Sequence, residues 1–406
     1  MEVCHMRKRL LLCLIGLLLV CTSCAGQSRD VNVMCLSVEK SKFDVIHRAG
    51  VVRDDSLAPV HCFTEEDYAD YADWYESVYT GLLARRDDID IYWLRSSDDR
   101  AYKLLTDHYF VDLSRDEEMM RYFDAMYPEI RDWCTFGDEI FGFPVFINYP
   151  MGIQVNEEQI ADAGYTMDDV RTMGGLLDFC DAWSVSRPNP PIEGALYLYE
   201  YVHDYILSHY DRATGELLLD TPEFRSILTQ CSESRYFEYM PDSSEVFTLE
   251  LDSPISVTGT PLVYSQQYTP GYFPLLGGES PDTKRYVYIA WCVVNPSSKN
   301  KEQALRYMRL LAESGKYDNW VNPILYRDTD FYTSAFLMGN SFNTFTDYYA
   351  DEQFDLVEDY LDGFYVGYGF TGYRDVWAIF DEYVTEGNRT MDEAIAEAQD
   401  LLDTIR

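Results

Sequence analysis

Basic residues are scarce in this chain: 32 Lys and Arg stand against 70 Asp and Glu, a formal net charge of −38 over 406 residues. Affinity for phosphate backbones comes from Lys and Arg neutralising charge, so a polyanion of this density is disfavoured as a nucleic-acid partner. Anionic lipid surfaces repel it for the same reason. Histidine is scarcer still, with six copies. None forms an HExxH pair, His203 and His209 have the wrong spacing for one helical face, and no GxSxG, Walker A or dinucleotide fingerprint occurs. A D-x-D-x-D-G calcium loop is also missing, so neither a metal nor a cofactor is expected and no catalytic residue is assigned. What is present in quantity is apolar matter: 47% hydrophobic and 15% aromatic residues, far above the composition of a disordered polyanion. The acids, spread along the whole length, read as the solvated surface of a folded protein.

The longest apolar run lies at the N-terminus. Arg7, Lys8 and Arg9 precede an unbroken run from Leu10 to Val20, the charged-then-apolar order of an export signal. A spanning helix needs about 20 apolar residues, and polar chemistry returns here at Thr22 and Ser23. The segment Cys21, Thr22, Ser23, Cys24 resembles the lipobox of bacterial lipoproteins, with Cys21 where Leu is usual. That resemblance implies cleavage before Cys24 and a diacylglyceryl lipid on it. An ordinary cleaved signal with a free cysteine near the new terminus is the alternative. Either way residues 1–23 form a leader, 24–30 a tether, and the protein works outside the cytoplasm. In the lipoprotein reading it sits on the outer face of the cell membrane, touching the membrane through its lipid anchor only.

The remainder is long enough for two domains of ordinary size, and no linker announces the division. Cys35, Cys62, Cys134, Cys180, Cys231 and Cys292 lie far apart without zinc-ligand spacing, so disulfides are permitted but not indicated. Strand and helix patterns alternate. Ile89–Leu94 reads as a short strand followed by a helix-opening polar loop, and Tyr286–Val294 as a fully buried strand. Helices are expected from about Glu65 to Arg85, after a Ser114/Glu117 capping box, and from Asn156/Gln159 to Gly164. Others are expected after Thr221-Pro222, after Asn300/Gln303 and after Thr390/Glu393. Tyr197, Tyr199, Tyr201 and Tyr205 read as one packed helix, and the stretch from Asp30 to Cys62 as a short, irregular βα unit. The alternation indicates α/β lobes with mostly parallel sheets.

Four segments in order then become familiar. They are Ile89–Leu94 with Tyr109–Leu113, the Gly137–Pro144 hairpin, Gly152–Asn156 with Ala161–Gly164, and Thr390–Ala398. Together they resemble the extracellular solute-binding proteins of ABC importers, family 1, the maltose-binding-like group, over most of the exported length. The resemblance implies a two-lobed α/β fold of the type II periplasmic-binding kind with the ligand cleft between lobes. Lobe one would comprise 31–146 plus 284–326, and lobe two 147–283 plus 327–406. It further implies a small-molecule solute, a sugar or oligosaccharide, passed to ABC permease subunits.

Aromatic faces can stack on sugar C–H faces while guanidinium, amide and hydroxyl groups satisfy the hydroxyls. Trp93, Arg95 and Ser96 end a strand, where open α/β sheets place ligands. Asn148 and Tyr149 follow the hairpin, Trp291 lies in the buried strand, and Tyr373, Arg374 and Trp377 precede the last capped helix. These nine are the candidate ligand-binding residues. Core packing is the competing role for Trp93, Trp291 and Trp377. Among functions, a secreted glycoside hydrolase and a non-transport carbohydrate-binding or sensor module are the rivals.

Overall fold

The computed structural model describes residues 30–148, 152–193, 199–233, 254–258, 269–274, 284–313, 326–327, 358 and 361–405. The leader with Cys24, and Tyr149, lie outside them. Contacts divide the chain into two compact units, Met1–Tyr92 with Val294–Leu310, and Trp93–Val293 with Leu311–Arg406.

In the first unit β1 (Val31–Met34) pairs in parallel with β2 (Val60–Phe63) across Val31↔Val60 to Met34↔Phe63, and with the start of β3 (Ile91–Arg95) across Val33↔Ile91. The helix Ser37–Arg53 joins β1 to β2 and buries Phe43, Ile46 and Gly50 along one face. The stretch expected to be short and irregular is thus a full βαβ unit. Its helix carries Val38, Val51 and Val52 on exposed positions, which blurs the amphipathic period that sequence reasoning relies on. Buried Asp90 secures the turn into β3, accepting from Asn32 N at 2.8 Å and from Ser298 Oγ at 2.6 Å. Asn295 adds Nδ2 bonds to the carbonyls of Arg86 and Ile89 at 2.8 and 2.7 Å. Here a buried carboxylate and amide satisfy backbone groups that would otherwise lose water uncompensated.

Helix starts differ from expectation in two places. Instead of one helix from Glu65, a 3-10 turn Glu65–Asp67 comes first and the helix proper runs Tyr71–Leu83, capped by Asp70 accepting from Asp73 N. Ser114 sits inside another 3-10 turn, Leu113–Arg115, and the helix Glu117–Asp124 is capped by Asp116, whose carboxylate accepts from Glu118 N and Met119 N. Both stretches are dense in acids, so several side chains compete for the cap and an Asp nearer the helix takes it.

Other starts match. Asn156 accepts from Gln159 N at 3.1 Å, and Gly164 takes φ +86 after the helix Glu157–Asp162. Thr221 Oγ1 accepts from Phe224 N. Thr390 and Glu393 bond reciprocally at the head of Met391–Ile405. The helix Lys301–Glu313 departs from this pattern, since Gln303 in its first turn accepts from Ala58 N instead of reaching back to Asn300.

A short hairpin, β4 (Thr135–Phe136) with β5 (Glu139–Ile140), precedes β6 (Gly142–Asn148), which runs antiparallel to β11 (Arg285–Val294); β12 (Phe364–Val366) is parallel to β11, and the main sheet has the order β12-β11-β3-β1-β2. The expected buried strand at 286–294 is β11, apolar and buried along nearly its whole length. A second sheet, β10-β7-β9-β8, is mixed: β7 (Gly152–Val155) runs antiparallel to both β9 (Ile255–Thr258) and β10 (Thr269–Pro274), and only β8 (Ile192–Glu193) is parallel to β9. Parallel pairing therefore dominates one sheet, not both. The core beside the second sheet takes Phe179 and Trp183 from Met173–Ser186, Tyr201 and Tyr205 from Tyr199–His209, and Val376 and Phe380 from Tyr373–Glu386. Among the described residues no helix is long and apolar enough to cross a membrane. All six cysteines among the described residues are buried, and burial pushes the Cys134 thiol up to about 12.

Candidate functional site

Three groups of side chains in the second unit carry the polar and aromatic chemistry. The first lies at the end of β3. Asp98, 6% exposed, accepts from Arg95 N at 3.2 Å and receives guanidinium nitrogens of both Arg95 and Arg374 at 3.4 Å. Arg374 is 53% exposed and reaches Asp98 across 276 positions of sequence. Arg95 also lies 5.6 Å from the Trp93 ring. Trp93 itself is 4% exposed with its indole Nε1 enclosed and unbonded. Ser96 is wholly buried: its Oγ accepts from Ile289 N at 3.1 Å and its carbonyl accepts from Gly369 N at 2.8 Å. Of the candidates, Arg95, Ser96 and Arg374 are therefore brought together, with Asp98 as the shared counter-ion.

The second group surrounds Tyr368. Its ring stacks on Trp291 at 6.2 Å and 14°, and meets Tyr102 edge-on at 4.9 Å and Phe136 at 6.4 Å. Arg212 lies over Tyr102 at 4.6 Å and near Tyr368 at 5.5 Å, donating to the carbonyls of Tyr368 and Gly369. The loop Asp211–Gly215 aims it. Asp211 Oδ1 accepts from Ala213 N at 2.8 Å, and Gly215, at φ +74, closes the turn by donating to the Asp211 carbonyl. Burial pulls the Arg212 pKa down and pushes the Tyr368 hydroxyl well above its ordinary range.

A third group involves Tyr373 and Trp377, both candidates. His203 stacks on the Trp377 indole at 3.7 Å, and its Nδ1 bonds the Tyr373 hydroxyl. Burial lowers His203 to about 3, so it is neutral. The adjacent Asp204 forms an ion pair with Arg285, at 7% and 1% exposure, and its other oxygen accepts from Tyr286 N at 2.6 Å. Burial raises Asp204 to about 6 against the opposing pull of Arg285. Asn148 closes β6, its backbone paired opposite Tyr288.

Sequence reasoning missed Tyr102, Phe136, Asp98, Arg212, His203 and Tyr368. A weak signal existed for one of them, since Gly367-Tyr368-Gly369-Phe370 frames an aromatic with glycines, as where backbone approaches backbone closely.

No family model matches the chain and no curated protein matches it. Solved structures do. The maltose-bound MalE3 of T. maritima aligns over 93% of this chain and 100% of its own with a TM-score of 0.58 at 14% identity. An ABC substrate-binding protein of Listeria monocytogenes in complex with cycloalternan aligns over 93% and 98%, TM-score 0.58, at 11% identity. An ABC transporter solute-binding protein of Agrobacterium vitis with bound D-mannitol aligns over 92% and 97%, TM-score 0.58, at 13% identity. The fold is that of the two-lobed solute-binding proteins. These neighbours of the solute-binding fold are binding proteins rather than enzymes.

Proposed function

We propose that this chain is an extracytoplasmic solute-binding protein that captures a sugar or oligosaccharide and hands it to an ABC permease. The observation that carries this is the group of Tyr102, Phe136, Trp291 and Tyr368 with Arg212 above it, set in a fold whose neighbours hold maltose, cycloalternan and D-mannitol. Aromatic faces give a sugar ring its apolar contact and exclude water, while a guanidinium with spare donors serves its oxygens. The wall expected from sequence contributes through Trp291, which is fully buried and backs the Tyr368 ring, and through Arg95, Ser96 and Arg374 beside the loop that bears Tyr368. Trp93, Asn148, Tyr149, Tyr373 and Trp377 complete the proposed set. Lobes of 31–146 plus 284–326 and of 147–283 plus 327–406 belong to the same reading, as does lipidation of Cys24.

Calorimetry of the purified exported chain against maltose, longer maltooligosaccharides and D-mannitol tests this, with reducing ends assayed in the same samples. Saturable binding without new reducing ends is expected. Release of reducing ends would mean a hydrolase, and silence across a broad saccharide panel would remove the sugar reading. For the anchor, Cys24→Ala should leave export intact and release the protein from the membrane fraction. Equal fractionation of mutant and parent would remove the lipid.

A further inference from the structure

Arg212 is charged, half-buried and without a carboxylate partner among the described residues. Its contacts among the described residues are the carbonyls of Tyr368 and Gly369 and the faces of Tyr102, Tyr210 and Tyr368. The neighbouring Asp211 is turned into its own loop, accepting from Ala213 N and Thr214 N. Several other arginines of this acid-rich chain take carboxylates: Arg285 has Asp204, Arg306 has Asp54, Arg225 has Asp220 and Asp392, and Arg389 has Glu382 and Glu397. A half-buried guanidinium with no carboxylate among the described residues is placed to take a counter-charge from a ligand.

Resting on the sugar-binding reading above, we propose that the solute is an anionic saccharide whose carboxylate or sulfate meets the Arg212 guanidinium while its ring packs against Tyr102 and Tyr368, the latter backed by the buried Trp291. The chemistry is specific in two ways. The two carbonyls and three ring faces hold the guanidinium plane, so remaining N–H donors present a fork suited to a planar or tetrahedral oxyanion. Carbonyl dipoles and ring faces offset only part of the desolvation of a cation, and a ligand anion supplies the rest. Burial already lowers the Arg212 pKa, with no acid among the causes.

The test is calorimetry of the exported chain with matched pairs: trigalacturonate and its methyl ester, and a sulfated galactose disaccharide and its desulfated form. At least one charged member should bind at least tenfold more tightly than its neutral twin, and Arg212→Gln should erase that preference. Which pair responds separates carboxylate from sulfate. Arg212→Lys keeps the charge but loses the fork, so it serves if Arg212→Gln fails to fold. It should weaken the charged ligand about tenfold and the neutral one little. Neutral twins binding as well as charged ones, or a preference that survives Arg212→Gln, would overturn the proposal while leaving a sugar-binding protein. No binding of any member, nor of maltose, would bring down both.

Discussion

The His203 imidazole lies 3.7 Å, centroid to centroid, over the Trp377 indole with the planes 25° apart. Burial holds that imidazole neutral by lowering its pKa from 6.5 to about 3. Between those values the unfolded chain takes up a proton that the folded chain refuses, so the contribution of His203 is fully present above about 6.5 and is lost as pH falls toward 3. Asp204 acts in the opposite sense. Its folded pKa is raised from 3.8 to about 6, so its contribution is present below 3.8 and lost as pH rises through 6. The melting temperature followed from pH 7 to pH 4 should therefore fall less steeply in His203→Phe, which keeps the stack and removes the titration. An unchanged slope would show that His203 is not the group responsible.

The Asp204–Arg285 pair leads to a second expectation. Asp204→Ala leaves the Arg285 guanidinium buried against Tyr201, and removal of one partner of a buried pair costs about 3–5 kcal/mol. The double substitution Asp204→Leu with Arg285→Met should recover much of that loss. Urea denaturation of both variants measures it, and a double variant as weak as the single would contradict it.

Caps give a third. Asp116→Ala should cost about 1 kcal/mol, as loss of an N-cap does, because its carboxylate serves both Glu118 N and Met119 N. Ser114 donates its hydroxyl to Asp112 and caps no helix, so Ser114→Ala should cost less by the same urea measurement.

Trp93 gives the fourth. A side chain 4% exposed behaves as core on truncation, and Trp→Ala in a core costs about 3–5 kcal/mol. Trp93→Ala should destabilise the ligand-free protein by that order, so any affinity it loses must be compared with Trp93→Phe, which retains most of the packing. Full stability in Trp93→Ala would place the ring outside the core.

Features set by neighbours in sequence were legible. The Asn156 and Thr390 caps, the turn at Gly164 and the buried run of β11 each follow from residues within a few positions of one another. The relationships that shape the candidate site were not, because they join distant segments: Arg212 meets Gly369 at a separation of 157 positions and His203 meets Tyr373 at 170. With 34 tyrosines and 21 phenylalanines, composition offered no means of choosing Tyr102 or Tyr368 from the rest. Ser96 shows the converse. Its place at a strand end marks it as a ligand donor, yet the sheet claims its hydroxyl for Ile289 N.

Gly369 donates to the Ser96 carbonyl, and a Cβ built on it would fall 2.1 Å from the carbonyl oxygen of Ser97. The segment bearing Tyr368 is thus fastened main chain to main chain, with no room for a side chain between. Natural selection would consequently see two unequal positions in what is one contact. Residue 97 contributes only its carbonyl and is free to drift among many side chains over evolutionary time, whereas residue 369 is held to glycine for as long as Tyr368 keeps its place.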